Sequence, residues 1–305
     1  MTKIKSVEYF RVPPRWLFVK IVDEDDNVGW GEASLEGHTQ AVEGCLDSYT
    51  MRLIGMEADN IEHIWQLLYR FGFYRGGPVL MSALSGIDIA LWDMKARKLN
   101  VPIYQLLGGK VRDTIKVYAW IGGDRPADVE IQAKSRQAQG FMAVKMNATE
   151  DLGWMDSPAA LADCVERVKT VKALGLDVGV DFHGRVHKPM AKQLARLLEP
   201  HQPMFIEEPL LSEHLEGIKA LSPIALAANI QVDAVSANFA IQEMSLGIHY
   251  NAGNQDLCSY TANPEVWDVK EGYIGLLNGP GLGIEVDEEM VRRLSVDAEA
   301  WVSPG

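Results

Sequence analysis

The stretch "DVGVDFHGRV", residues 177–186, is a short apolar run that stops on Asp181, Phe182 and His183 before a glycine. A helical pattern over 187–199 follows it. A buried run ending in polar residues and then a helix reads as a βα unit, and in such units the polar groups gather at the strand C-terminus. The texture repeats. "IKVYAWIGG" (115–123), "FMAVKMN" (141–147), "MFIEEP" (204–209) and "AVSANFAIQE" (234–243) are further apolar runs, and another helical pattern spans 157–174. Five runs predict a parallel sheet of about five strands in an α/β fold. A closed eight-stranded barrel takes roughly 200–250 residues, and residues 115–265 are too few for one.

Upstream, "IKSVEYFRV", "RWLFVKIVD" and "NVGWGEA" predict an antiparallel meander. Helical patterns follow from Ile61 to Phe73 and from Val79 to Leu99. The expected organisation is an α+β capping domain over 1–114 and a (β/α) barrel-like domain over 115–265, with the tail 266–305 packing back on the cap.

The totals narrow the function. The chain has 305 residues, 47% of them hydrophobic, and a net charge of −13. That charge argues against nucleic acid and anionic membranes as partners. No apolar run approaches the roughly 20 residues of a membrane helix, and the opening "MTKIKSVEYF" has no signal-peptide core, so a cytoplasmic location is expected. An anionic substrate would need local cations or a metal. Cys45, Cys164 and Cys258 lack metal-site spacing and read as small hydrophobes.

Consecutive strand ends carry Asp181 and Glu207. Neighbouring strands lie about 4.8 Å apart, so two hard oxygen donors converge, which favours Mg²⁺ over zinc. Helix-capping for Asp181 and a solvated loop for Glu207 and Glu208 are the plain alternatives. His183, two residues past Asp181, is expected on the same side as a general acid or base, or else as a structural histidine. Lys145 and Asn147 alternate onto one face of their strand, where an ammonium could neutralise a carboxylate. Glu243 ends the last run and could hydrogen-bond a substrate. Arg75, in the "FYRGGP" turn, could clamp an anion or be an ordinary turn arginine. "GPGLG" (279–283) is broken by Pro280, and the "IEV" after it reads as a strand instead of a helix, so it is not a nucleotide loop.

"ALSGIDIALWDMKAR" (83–97), the D-x-H strand end and "FIEEP" resemble the signatures of the mandelate racemase and muconate lactonizing branch of the enolase superfamily. "PPRW", "VGWGEA" and "QEMSLGIHYN" extend the resemblance over nearly the whole chain. It implies a capped TIM-like barrel and metal-dependent dehydration of a six-carbon sugar acid to a 2-keto-3-deoxy acid. D-Galactonate is the substrate expected, with gluconate or mannonate as alternatives, and a homo-oligomer is the expected assembly. It implies that Asp181 and Glu207 are metal ligands, that His183 protonates the departing 3-hydroxyl, and that Glu243 is the acid on the last strand.

The departure is specific. The family places three more strands after "FIEEP", carrying the third ligand and the histidine that takes the α-proton. Here "LLSEHLEGIKAL" (210–221) runs directly into "SPIALAANIQVDAVSANF" (222–239), so the barrel is expected to be incomplete, with its break between about 221 and 223. Asp233 lies as far beyond Glu207 as Glu207 lies beyond Asp181, and by that spacing could substitute as a ligand, although its neighbours match another part of the family.

Overall fold

The computed structural model describes residues 2–122, 126–149, 152–153, 155–211, 226–244 and 255–301. Strands β1 (Ile4–Val12), β2 (Trp16–Asp23) and β3 (Val28–Glu32) form an antiparallel sheet in the order β1-β2-β3. Helices α1 (Thr39–Leu53), α2 (Ile61–Arg70) and α3 (Pro78–Lys98) follow, then the short α4 (Ile103–Leu106). Leu17, Val19 and Ile21 of β2 are buried against Leu84, Ile87 and Leu91 of α3. Their neighbour Phe18, on the opposite side, is buried with Tyr260 and with Val291 of the tail. Both faces of β2 are thus covered, which is why "RWLFVKIV" reads as a continuous apolar run and not as a clean alternation.

The sheet and α3 approach so closely that side chains are excluded between them. A Cβ on Gly31 would lie 2.0 Å from the Gly86 carbonyl oxygen, and one on Gly29 would lie 2.0 Å from that of Ala90. Asp93, fully buried on α3, accepts hydrogen bonds from the Trp30 and Leu282 backbone N–H groups and pairs with Arg97 at 3.0 Å. One carboxylate therefore joins α3, β3 and the tail.

The second sheet has the order β7-β6-β5-β4-β8, all parallel: β4 (Thr114–Ile121), β5 (Ala143–Asn147), β6 (Asp177–Asp181), β7 (Phe205–Glu207) and β8 (Gln242–Met244). Helices α5 (Pro126–Ala138), α6 (Pro158–Lys172) and α7 (Lys188–Leu198) connect the first four, and α8 (Leu226–Val235) precedes β8. Val144, Met146, Val178 and Val180 face outward, buried with Val168, Leu194 and Leu198 of the covering helices. The alternate residues face inward. The sheet is a curled parallel half-barrel, with β7 and β8 at its edges among the described residues.

Three expectations change. The run 234–243 is not one strand: α8 extends to Val235, and β8 starts only at Gln242. A further strand, β9 (Tyr273–Gly275), pairs antiparallel with the start of β4 and lay unseen in the sequence. "IEV" after "GPGLG" contributes a single bridge, from Val286 to Thr261, instead of a strand. The last helix, α9 (Glu288–Ser295), is tied to the cap by Lys20–Glu288 at 2.5 Å and Arg292–Glu8 at 3.1 Å.

Candidate active site

Parallel register stacks the inward residues in rows. Tyr118 is the register partner of Glu243. Trp120, Lys145, Gly179 and Phe205 form the next row, and Asn147, Asp181 and Glu207 form the row at the strand C-termini. Gly179 leaves room for the Phe205 ring, which a Cβ there would meet at 2.4 Å, and that ring packs 5.3 Å from the Tyr118 ring.

Lys145 is the hub. Its Nζ lies 2.9 Å from Glu243 Oε2, 3.2 Å from Glu207 Oε2 and 3.4 Å from Asp181 Oδ2, and the residue is only 5% exposed. Burial disfavours its charge, but the carboxylates of Glu243, Asp181 and Glu207 outweigh that and hold the ammonium above the ordinary lysine value. The Tyr118 hydroxyl donates to the same Glu243 Oε2 at 2.8 Å. Each of the five parallel strands thus contributes one polar side chain to a single network.

Asp181 is almost fully buried. Its Oδ1 accepts the His183 backbone N–H at 2.6 Å, and its Oδ2 lies 3.0 Å from His183 Nδ1. Burial would raise its pKa, but the His183 hydrogen bond and the Lys145 charge reverse this and hold the carboxyl below the usual range. The same hydrogen bond raises His183 above the ordinary histidine value, against the opposing effect of burial. The imidazole remains half exposed. Asp181 and His183 meet through a turn: β6 ends at Asp181, and His183 adopts a left-handed φ of 55°.

Glu207 is raised by burial, with Lys145 acting in the opposite direction. Its Oε2 is buried and receives no aligned hydrogen bond, despite the nearby ammonium. Asn147 Oδ1 and Thr149 Oγ1 are likewise buried without partners. Three carboxylates and one ammonium leave a charge of −2 when all are ionised, and a divalent cation would neutralise it. The Glu207 oxygen that lacks a hydrogen bond, the hard-oxygen donor set and this charge fit Mg²⁺. Asp181 and Glu207 could hold it; Asp181, His183 and Glu208 also offer ligand atoms within 4.8 Å of one another.

The structure therefore brings Lys145, Asp181, His183, Glu207 and Glu243 together and sets Asn147 beside them. Arg75 is not one of the residues in this network: it is exposed in the turn between α2 and α3, next to Phe73 and Tyr74 at 92% and 84% exposure. Asp233 is not at a strand end but on α8, where its backbone carbonyl accepts from Arg112. Its spacing from Glu207 measures helix, not sheet, so it does not substitute as a ligand. Sequence reasoning missed Tyr118, which two-residue alternation back from Trp120 would have placed inside, and set Glu208 aside as a loop acid.

The mandelate racemase/muconate lactonizing enzyme N-terminal domain matches residues 13–108, and the enolase C-terminal domain-like family matches in two pieces, 128–222 and 217–290. This chain belongs to the mandelate racemase/muconate lactonizing enzyme family. It is 39% identical to D-galactonate dehydratase of Ralstonia nicotianae over 370 aligned positions, covering 99% of this chain and 97% of that protein. With 305 residues here, at least 65 of those positions have no counterpart in this chain. An enolase from Pantoea ananatis, solved with D-gluconate and Mg bound, superposes with a TM-score of 0.81 at 24% identity, over 98% of this chain and 96% of that one. A mandelate racemase/muconate lactonizing enzyme from Jannaschia sp. CCS1 superposes with a TM-score of 0.83 at 19% identity, over 97% and 98%. These two share the family's fold. Among the described residues no helix is long and apolar enough to cross a membrane.

Proposed function

We propose that this family member is a Mg²⁺-dependent hydro-lyase that dehydrates a sugar acid, D-galactonate, to its 2-keto-3-deoxy acid. The observation that carries the reading is the Asp181–His183 pair beside register-matched Glu207 at the mouth of the half-barrel. The activity of the Ralstonia relative and the ligands of the Pantoea enolase support the substrate class. Gluconate and mannonate are the alternative aldonates. In this reading residues 1–114 with the tail 266–305 are the cap, residues 115–265 are the barrel body, and the enzyme is a cytosolic homo-oligomer.

Asp181 and Glu207 would hold Mg²⁺, which supplies the positive charge that makes the substrate's α-proton acidic. The residues of the chain divide the remaining work. Anchoring of His183 Nδ1 on Asp181 leaves Nε2 to deliver a proton to the departing 3-hydroxyl. Lys145 offsets the buried acids, and Glu243, fixed by Lys145 and Tyr118, accepts a substrate hydroxyl. Asn147 Oδ1, buried and unpartnered, accepts a second. Arg75 meets the anionic substrate from the cap.

One observation favours a second reading, binding without turnover: among the described residues no base stands across from His183. Purified protein with Mg²⁺ and D-galactonate, assayed for a 2-keto acid with semicarbazide, separates the two. Product is expected. Its absence, from protein folded by circular dichroism and binding D-galactonate in calorimetry, would establish the non-catalytic reading.

A further inference from the structure

We propose that the Lys145 ammonium is the resident cation of the carboxylate seat, and that a divalent metal binds only by displacing it toward Glu243. The proposal rests on the reading that this seat takes a metal. Three carboxylate oxygens, from β6, β7 and β8, lie within 3.4 Å of the one nitrogen. Mg²⁺ requires oxygens at about 2.0–2.1 Å. A metal taking the Asp181 and Glu207 oxygens that now face Nζ would compete with the ammonium for the same acceptors, so the ammonium would have to give them up.

The contacts rank the order of release. Glu207 Oε2, at 3.2 Å, receives no aligned hydrogen bond from the ammonium, and Asp181 Oδ2 is the most distant at 3.4 Å. Glu243 Oε2 is the nearest, at 2.9 Å, and is itself fixed by Tyr118. Withdrawal toward Glu243 gives up the two weak contacts and keeps the strong one. Lys145 stands on β5, the middle strand of the path, so its stem can reach either side of the curl. With the ammonium present the three carboxylates are partly neutralised before any metal arrives, so the affinity of the seat for metal is lowered.

The test uses the full chain and Mn²⁺ as the probe, with binding followed by the electron paramagnetic resonance of free Mn²⁺. Lys145→Met is expected to bind Mn²⁺ at least tenfold more tightly than the natural chain, because the competitor is gone and the seat is more negative. Lys145→Arg, which keeps the charge, is expected to bind no more tightly than the natural chain. Equal or weaker binding by a folded Lys145→Met protein would overturn the displacement proposal while leaving the metal reading in place. Failure of both the natural chain and Lys145→Met to bind would overturn both. Should Lys145→Met not fold, the ¹⁵Nζ resonance of Lys145 in the natural chain decides: it must shift when Mg²⁺ is added, and an unmoved signal at saturating Mg²⁺ would overturn displacement.

Discussion

At Asp181 the strand ends, and His183, with φ at 55°, folds back so that its backbone N–H and its Nδ1 engage the two oxygens of the same carboxylate. One acid thereby fixes both the backbone position and the ring orientation of the proposed proton donor. Replacing His183 with Asn keeps a polar side chain and leaves Asp181 and Glu207 in place, so it should remove proton delivery alone. We expect a loss of dehydration of about 10²–10⁴-fold, the usual worth of a general acid, with Mn²⁺ affinity retained. Undiminished turnover would remove His183 from that role. The pairing of Asp181 and His183 was legible in "DFHG", but its geometric cause was not. Alternation along a strand suggested a shared face, whereas a left-handed residue beyond the strand makes the contact, and no residue type in the sequence announces it. Lys145 was legible as a neutralising cation. Its position among three acids depends on the curl of the sheet, which brings Glu243 on one edge strand and Glu207 on the other to the same nitrogen.

The elements themselves were readable where a single periodicity governed them. The 21-residue α3 repeats apolar residues at helical spacing and ends in a basic turn, as expected for a helix with cations near its C-terminus. The short strands were less so: β8 is three residues long, and the apolar run containing it also supplies the end of a buried helix, α8. Period alone cannot separate those outcomes in so short a run. One polar position on α3 has a thermodynamic consequence. Asp88 faces Glu62 on α2, and burial, with that acid's charge second, raises its pKa from 3.8 to about 6. The folded state therefore binds the proton more tightly than the unfolded chain does. Its contribution to stability is full below about pH 4 and is lost as pH rises through about 6. Partial exposure tempers the amount, and we expect about 2 kcal/mol. Asp88→Asn should accordingly be more stable than the natural chain at pH 7 and equal to it near pH 4, as measured by urea unfolding at both values. An equal difference at both values would rule out titration of Asp88 as the cause.

For the molecule as a whole, the cap has one core of its own between β2 and α3, whereas the half-barrel ends in two three-residue strands, β7 and β8, each paired on one side among the described residues. The two family matches to the C-terminal domain meet at 217–222, and the Ralstonia relative has at least 65 positions without a counterpart here. The five strands present supply the Asp181–His183 pair, Glu207 and Glu243 in one network, so the half of the site proposed to protonate the leaving group is formed by the described residues. What a barrel adds is a fixed surface opposite His183, and fixed opposition of reacting groups is worth far more than their mere presence. Grafting the Ralstonia segment that lacks a counterpart here between Leu221 and Ser222 should close the gap between β7 and β8 without altering any residue of the network. We expect the graft to raise kcat/KM for D-galactonate at least about 10²-fold over the natural chain, judged by semicarbazide-detected 2-keto acid, and His183→Asn to abolish the gain. A graft that folds with all eight strands yet turns over no faster would mean that the added surface supplies nothing the shorter chain lacks, and that the five-stranded site is complete for catalysis as it stands.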